Sequence, residues 1–173
     1  MKASVFIATS LDGYIARRDG GLDWLPENCE PHGYEEFIAT VDAIVIGRGT
    51  FETVMGFASW PYGKTPVFVL ASDPSRIRPP EGAVCEAMGG DPRRIAESLE
   101  KRGFGHLYVD GGVTITRFLE AGLIDRLTIT RIPVLLGGGI PLFGSLPEDI
   151  RPRHAWTRSF PSGLVQSEYE IAR

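Results

Sequence analysis

Cysteine is scarce in this chain, and no covalent framework is predicted. The 173 residues include two cysteines, Cys29 and Cys85, which do not form a spaced pair typical of a zinc or redox motif. A disulfide between them is allowed but not required, and a reduced cytoplasmic protein is the simpler interpretation. A chain of this length buries roughly 70% of its unfolded surface, so a hydrophobic core suffices to stabilise it.

The sequence also lacks a long apolar run and an excess of basic charge. No segment approaches the ~20 apolar residues of a membrane helix, and residues 1–8 become polar too soon for a signal peptide. Lys and Arg number 18 against 22 Asp and Glu, a formal net charge of −4. This balance argues against nucleic acid as a partner, whereas a small phosphorylated ligand needs only a few local donors.

Two common kinds of catalytic site find no support. The three histidines are scattered and form no H-x-x-x-H pair, so no metal site is predicted. No serine stands in a G-x-S-x-G context, so a hydrolase triad is not predicted either.

The apolar pattern predicts strands that alternate with helices. Buried strands are expected at 3–8, 43–46, 67–70, 106–109 and 127–136, with a weaker one at 83–86. Helices are expected at 34–40, 50–55, 91–103 and 112–121, and the third has a clear start at Asp91-Pro92. The tail at 152–173 reads as two antiparallel strands. We therefore expect one α/β domain over 1–173, with a mainly parallel sheet covered on both faces and an antiparallel end.

Three strand ends carry turns suited to an anion, because ligands of open α/β sheets bind at the carboxyl ends of strands. The first holds Gly47, Arg48 and Thr50 before a helix, where backbone N–H groups and a cation can hold a phosphate. A plain turn with an exposed arginine is the alternative, and spacing alone favours it.

The other two turns are weaker signals. Gly111 and Gly112 precede a helix that begins with Val113 and Thr114, although tight turns often use two glycines without a ligand. Leu70, Ala71 and Ser72 end another strand, with arginines shortly after, and a capped turn with solvated arginines is at least as plausible. The residues at 137–139 are all glycine, which we interpret as a bend.

Asp110 is the carboxylate best placed for chemistry. It ends a buried strand beside glycine, and a buried acid titrates high, which suits a proton donor or an acceptor for a substrate hydroxyl. An acid that merely accepts N–H bonds from its own turn is equally compatible. Trp24 and Trp60 lie in predicted loops, where they could wall a heterocycle or simply anchor the loops.

Together these segments resemble the dihydrofolate reductase superfamily. The closer resemblance is to the C-terminal reductase domain of the bifunctional riboflavin-biosynthesis deaminase-reductase and its stand-alone bacterial relatives. It rests on short segments whose order and spacing extend over nearly the whole chain: SLDGYIA at 10–16, DWL at 23–25, IGRGTFE at 46–52, WPY at 60–62, VDGG at 109–112, LID at 123–125, PVLLG at 133–137 and IPLF at 140–143.

The resemblance implies a dihydrofolate-reductase-like fold with a central, mostly parallel sheet of about eight strands and a cleft for NADPH. It implies that phosphates meet Gly47, Arg48 and Thr50, that Leu70, Ala71 and Ser72 line the adenosine side, that Gly111, Gly112, Val113 and Thr114 cover the pyrophosphate, and that Ala8 and Ile15 touch the nicotinamide. Asp110 takes the place of the acid that the riboflavin enzyme carries before its Gly-Gly.

One departure bears on the substrate. Dihydrofolate reductases carry a carboxylate early in their first helix, where Gly33 stands here, so folate reduction is not expected. We hypothesise an NADPH-dependent reductase acting on a small heterocyclic or carbonyl or imine substrate, such as a pyrimidine- or pterin-like compound. The alternative is a nucleotide-binding module or structural protein without turnover.

Both the apolar pattern and the family resemblance predict that the protein forms an oligomer. The apolar strand 127–136, with Pro133 inside it, is expected near a sheet edge or at a bulge, because proline removes a ladder donor. An apolar edge invites pairing, and the related reductase domains form homodimers. We therefore expect a homodimer, with neither nucleic acid nor membrane as a partner.

Overall fold

The computed structural model describes residues 1–27 and 29–172, which form ten strands and four α-helices. The strands are β1 (Lys2–Ser10), β2 (Tyr14–Ala16), β3 (Ala43–Gly47), β4 (Val67–Leu70), β5 (Cys85–Met88), β6 (His106–Asp110), β7 (Arg126–Ile132), β8 (Ile140–Pro141), β9 (Arg153–Ser159) and β10 (Val165–Glu170). The helices are α1 (Tyr34–Ile38), α2 (Arg48–Met55), α3 (Pro92–Lys101) and α4 (Gly112–Glu120). None of the helices in these ranges is long and apolar enough to cross a membrane.

Eight of the strands form one sheet in the order β5-β4-β3-β6-β1-β7-β10-β9. The pairings from β5 through to β7 are parallel, and β10 and β9 add two antiparallel ones. The remaining strands, β2 and β8, pair in a small separate ladder. The predicted dihydrofolate-reductase-like α/β class is confirmed.

The two faces of the sheet bury alternate residues of each strand, as the twofold period of a strand requires. Val5 and its face pack under α3 and α4, in a cluster with Leu99 and Phe118. Phe6 and the opposite face pack under α1 and α2, in a cluster with Phe51. The central strands are therefore apolar on both faces, which explains their continuous hydrophobic runs.

The predicted strand 127–136 is wrong in its length and its place. It ends at Ile132, directly before Pro133, which has no N–H to continue the ladder. It lies inside the sheet between β1 and β10, so the exposed edge on this side is β9 instead. The weak strand at 83–86 is found at Cys85–Met88. Arg173, the end of the predicted tail hairpin, lies outside the described residues.

Candidate functional site

The three predicted turns lie side by side at one end of the sheet. Register places Gly47 of β3 beside Leu70 of β4, and Ile46 beside Asp110 of β6. The strands run parallel, so the segments 70–72, 47–50 and 110–114 form one continuous rim. The sequence supplied the three turns separately, and the pairing order brings them together.

Two of these turns interlock through their threonines. A Cβ on Gly47 would lie 2.7 Å from the Oγ1 of Thr114, and a Cβ on Gly111 would collide with the Oγ1 of Thr50. Each glycine therefore gives room to the hydroxyl of the other turn. Gly111 also has a φ of 91°, which an L side chain rarely adopts. These glycines are needed for the turns to approach each other.

The helices that start at this rim begin in an unusual way. In the described part of the chain, α2 and α4 have no side-chain hydrogen bond at their N-caps and no acidic residue in their first turns. By contrast, Asp91 caps α3 by accepting a hydrogen bond from the N–H of Arg93, and α1 carries Glu35 and Glu36 in its first turn. The first N–H groups of α2 and α4 thus remain available to an anion.

Room for such an anion exists above α2. Gly49, in the first turn, has nothing within 4 Å of the position of a Cβ. Arg48 is exposed and forms an ion pair with Glu52 at 3.4 Å. Arg48 is the first residue of α2, and an exposed pair of this kind holds its guanidinium only weakly.

A gap opens between β1 and β6 beside the rim. Their ladder runs from Lys2 only to Ser4, whereas β1 remains paired with β7 as far as Ser10. Ala8 is partly exposed although it lies in a central strand. Across the rim, a Cβ on Gly112 would lie 3.5 Å from the Cδ1 of Ile15. Ala8 and Ile15, the two predicted nicotinamide neighbours, therefore both lie next to the end of β6.

Asp110 is mostly buried at the end of β6. Burial raises its pKa to about 6, against the lowering effect of the hydrogen bond from the Gly111 N–H and of the nearby Tyr108 side chain. The Gly111 N–H lies 2.8 Å from its Oδ1. Asp110 thus accepts a hydrogen bond from its own turn and has a raised pKa, and its role in catalysis stays a prediction.

Sequence reasoning missed the tyrosines around this carboxyl. Burial, and then the charge of Asp110, raises the pKa of Tyr34, Tyr62 and Tyr108. Tyr108 precedes Asp110 by two residues in β6, so strand alternation predicts that both side chains lie on the same face of the sheet. Tyr34 comes from α1 and Tyr62 from the loop after α2, and only the tertiary fold brings them near Asp110.

The loop tryptophans pack rather than lie open. Trp60 contacts Tyr62 and Phe51 edge to face, at ring-centroid distances of 5.2 and 6.4 Å. Trp24 is 9% exposed and packs with Ile132 and Leu164. Both indole N–H groups are buried without a hydrogen-bond partner among the described residues.

The adenosine side of the predicted site is less enclosed. Leu70 is buried, the N–H of Ala71 bonds to the carbonyl of Met88, and Ser72 is exposed. A shallow depression of about 370 Å³ lies at the end of β5, lined by Met88, Gly89, Gly90, Asp91, Arg94, Ile95 and Ser98. Apart from the pair Gly89-Gly90, nothing in the sequence pattern pointed to this depression.

A larger open cavity of about 750 Å³ lies at the opposite end of the sheet, beside Lys2 and Arg126. The amino ends of parallel strands meet there, away from the rim, and ligands of such sheets bind at the carboxyl ends. Within 1–27 and 29–172, no cluster of three or more His, Cys, Asp or Glu side chains could hold a metal ion.

Sequence comparison relates the chain to one family. The model of the RibD C-terminal domain matches residues 2–165. The uncharacterized protein YwjB of Bacillus subtilis (strain 168) is 33% identical over 172 residues, which cover 97% of both chains. The riboflavin biosynthesis protein RibD of Mycobacterium tuberculosis is 26% identical over 77% of this chain and 42% of its own length.

Solved structures agree on the fold. A protein from Shewanella sp. PV-4, to which a role in riboflavin biosynthesis has been ascribed, superposes with a TM-score of 0.90 at 40% identity over the full length of both chains. Dihydrofolate reductase from Enterococcus faecalis, solved in complex with NADP(H) and RAB-propyl, superposes with a TM-score of 0.72 at 21% identity, covering 99% and 97% of the two chains. At that identity the second match speaks for the fold alone.

Proposed function

Because the chain belongs to the RibD C-terminal domain family, whose fold is of the reductase type, we propose that it is an NADPH-dependent reductase. It transfers a hydride to a small heterocyclic or carbonyl or imine substrate, of pyrimidine or pterin type. The observation that carries the proposal is the pair of uncapped helix starts, α2 and α4, locked together at the rim beside Asp110.

The hydrogen-bond donors at the rim suit the phosphates of a dinucleotide. The N–H groups at the start of α2, with Gly47, Arg48 and Thr50, receive phosphate oxygens, and the open space over Gly49 lets them approach. Gly111, Gly112, Val113 and Thr114 cover the pyrophosphate, while Leu70, Ala71 and Ser72 line the adenosine. Since Thr50 and Thr114 already fit into each other's turns, the site is preorganised.

The substrate end lies where Ala8, Ile15 and Asp110 meet. Bound NADPH supplies the hydride, which reduces a C=O or C=N carbon. The protonated carboxyl of Asp110 donates the proton to the oxygen or nitrogen that gains charge, directly or through a water. A pKa of about 6 keeps a usable fraction of this carboxyl protonated near neutrality.

Calorimetry with NADPH tests the cofactor proposal. We expect a Kd in the low micromolar range or tighter, roughly −8 kcal/mol. If the guanidinium binds the 2′-phosphate, Arg48→Ala should lower the affinity for NADPH about tenfold to a hundredfold. The affinity for NADH should fall far less. Arg153→Ala is the control, because it removes another exposed, glutamate-paired arginine, from the edge strand β9. Absence of heat and of thermal shift at millimolar NADPH would contradict the proposal.

Turnover separates a reductase from a binding module. NADPH oxidation across a panel of heterocyclic and ribityl substrates should find at least one that reacts, whereas cofactor binding without any turnover would favour the module. Dihydrofolate should be a poor member of the panel, because Gly33 caps α1 where a carboxylate would be needed to anchor a pterin.

A further inference from the structure

A buried amide on the sheet lies two strands beyond β1, the last strand of the site described above. Gln166 of β10 has 0% exposure. Its neighbour across the ladder is Thr130 of β7, whose own neighbour on the other side is Ala8 of β1. The three residues form a row across one face of the sheet, and the row ends at Ala8, which borders the gap beside Asp110.

The hydrogen bonds of this amide are unevenly satisfied. Nε2 donates to the carbonyl of His32 and to the Oγ1 of Thr130, both at 2.9 Å. The carbonyl of His32 can only accept, so the amide orientation is fixed with its nitrogen on that side. Oε1 has no partner among the described residues. A buried carbonyl oxygen without a donor is costly, and such a group in a native fold calls for a ligand or a water.

Thr130 completes the pattern. Its oxygen accepts from Gln166, which leaves its hydroxyl hydrogen to be donated elsewhere. A free acceptor, Oε1, and a hydroxyl donor therefore flank the Nε2–Oγ1 hydrogen bond. The complementary ligand group presents an N–H next to a C=O, which is the edge of a cyclic amide.

The spacing suits a flat ring that also reaches Asp110. Strands β6 and β7 flank β1, and neighbouring strands lie about 4.8 Å apart. Register also places Thr130 two residues further along the sheet than Asp110, so the two residues are at least roughly 12 Å apart. A bicyclic heterocycle, or a monocycle with one substituent, covers that distance. Ala8, which lies between them on β1, is small and partly exposed.

We propose that Gln166 and Thr130 are specificity-determining residues that bind the cyclic-amide edge of the substrate, with the Gln166 Oε1 accepting the ring N–H and the Thr130 hydroxyl donating to the ring carbonyl. The assignment rests on the proposed function, since it places the reacting end of the ring at Asp110. The competing explanation is that Gln166 only ties His32 to the sheet.

A matched pair of ligands distinguishes these explanations. Quinazolin-4-one is flat and bicyclic and carries one cyclic amide, and its N3-methyl derivative replaces the N–H by N–CH3, so it cannot donate this hydrogen bond. We expect the wild-type protein with NADP⁺ to bind the parent compound at least about tenfold more tightly than the methyl derivative, by calorimetry, as loss of a buried hydrogen bond requires. Equal affinities in the wild type would overturn the proposal.

Variants assign the preference to residues. Gln166→Met should abolish the discrimination between the two compounds, whereas a purely structural role would lower the melting temperature and leave their ratio unchanged. Thr130→Val should lower the affinity for the parent compound about tenfold. If Gln166→Met does not fold, this variant tests the proposal in its place. Thr128→Val is the control, because Thr128 lies on the same face of β7 but bonds to Glu168.

The outcomes also separate this proposal from the cofactor proposal. NADP⁺ binding with no binding of the parent compound at millimolar concentration would overturn the roles of Gln166 and Thr130 and leave the reductase proposal intact. Selective binding of the parent compound without any binding of NADP⁺ would support those roles and count against the reductase.

Discussion

At the scale of single residues, Asp110 couples the chemistry of the site to the pH dependence of stability. Its pKa is raised from 3.8 to about 6, so its ionisation opposes folding. The folded state binds the proton more tightly than the unfolded state, and the free energy of unfolding therefore falls as pH rises from about 4 to 6. A shift of this size corresponds to roughly 3 kcal/mol at most.

Asp110→Asn should remove the loss of stability that comes from ionising the buried carboxyl. We expect the variant to gain stability over the wild type at pH 8, by a few degrees in melting temperature, and to gain little at pH 4. Calorimetric melting at both pH values measures the difference. Substrate turnover should fall sharply in the same variant, because asparagine cannot donate the proton. A stability gain that is the same at both pH values would show that burial does not raise this pKa.

At Gly111, a close neighbour and the backbone conformation both exclude a side chain. Gly111→Ala introduces a Cβ against the Thr50 hydroxyl and a side chain at a φ of 91°. Gly103→Ala is a matched control, since its φ is 95° and nothing lies within 4 Å of its Cβ position. We expect the control to lose about 1–2 kcal/mol from backbone strain, and Gly111→Ala to lose clearly more and to bind NADPH poorly. Equal losses in urea titrations would mean that the turns do not interlock.

At the scale of elements, the turn between β1 and β2 is tied to the chain that follows β7. The carboxylate of Asp12 accepts hydrogen bonds from the N–H of Leu136 at 3.1 Å and of Gly137 at 2.7 Å. A hydrogen bond with the Ser10 side chain, followed by smaller contributions from these two amides, lowers the pKa of Asp12. The carboxylate is thus both a turn former and a connection to the glycine segment at 137–139.

Asp12→Ala should release that segment locally. We expect hydrogen exchange at the amides of Leu136 and Gly137 to quicken at least about tenfold, while the global melting temperature changes little, because the connection is at the surface. In the wild type the lowered pKa means that this stabilisation is present above about pH 4 and is lost as pH falls further. Unchanged protection of both amides would contradict this role for Asp12.

At the scale of the whole molecule, the prediction of a homodimer stays a prediction, and its reason has changed. Strand β7 is covered on both sides within the chain, by β1 and β10. The edge on this side of the sheet is β9, and the other edge is β5. Strand β9 carries Arg153 and Arg158, and charged residues at an edge discourage indiscriminate pairing. The remaining support is the resemblance to dimeric reductase domains.

Light scattering at tens of micromolar tests the assembly. We expect a particle of about twice 18.9 kDa, held by a self-complementary interface of more than about 1,000 Å². A monomer at that concentration would rule out the dimer, and the cofactor proposal would be unaffected, because the rim residues all come from one chain.

The sequence by itself determined the local features. Apolar periodicity located β1, β3, β4 and β6, Asp91-Pro92 located the start of α3, and glycine after a strand located the turns at Gly47 and Gly111. These are signals within a few residues of one another, and each follows from backbone sterics and hydrogen bonding. The motif spacing added the family, and with it the fold.

Only the tertiary structure decided which distant residues meet. Strand order set the turns at 47–50, 70–72 and 110–114 side by side, and it moved β7 into the sheet interior. It also brought Tyr34 and Tyr62 to Asp110, and joined Gln166 to Thr130. Sequence spacing cannot give these contacts, because they depend on long-range pairing and on the face that each strand turns to its neighbours.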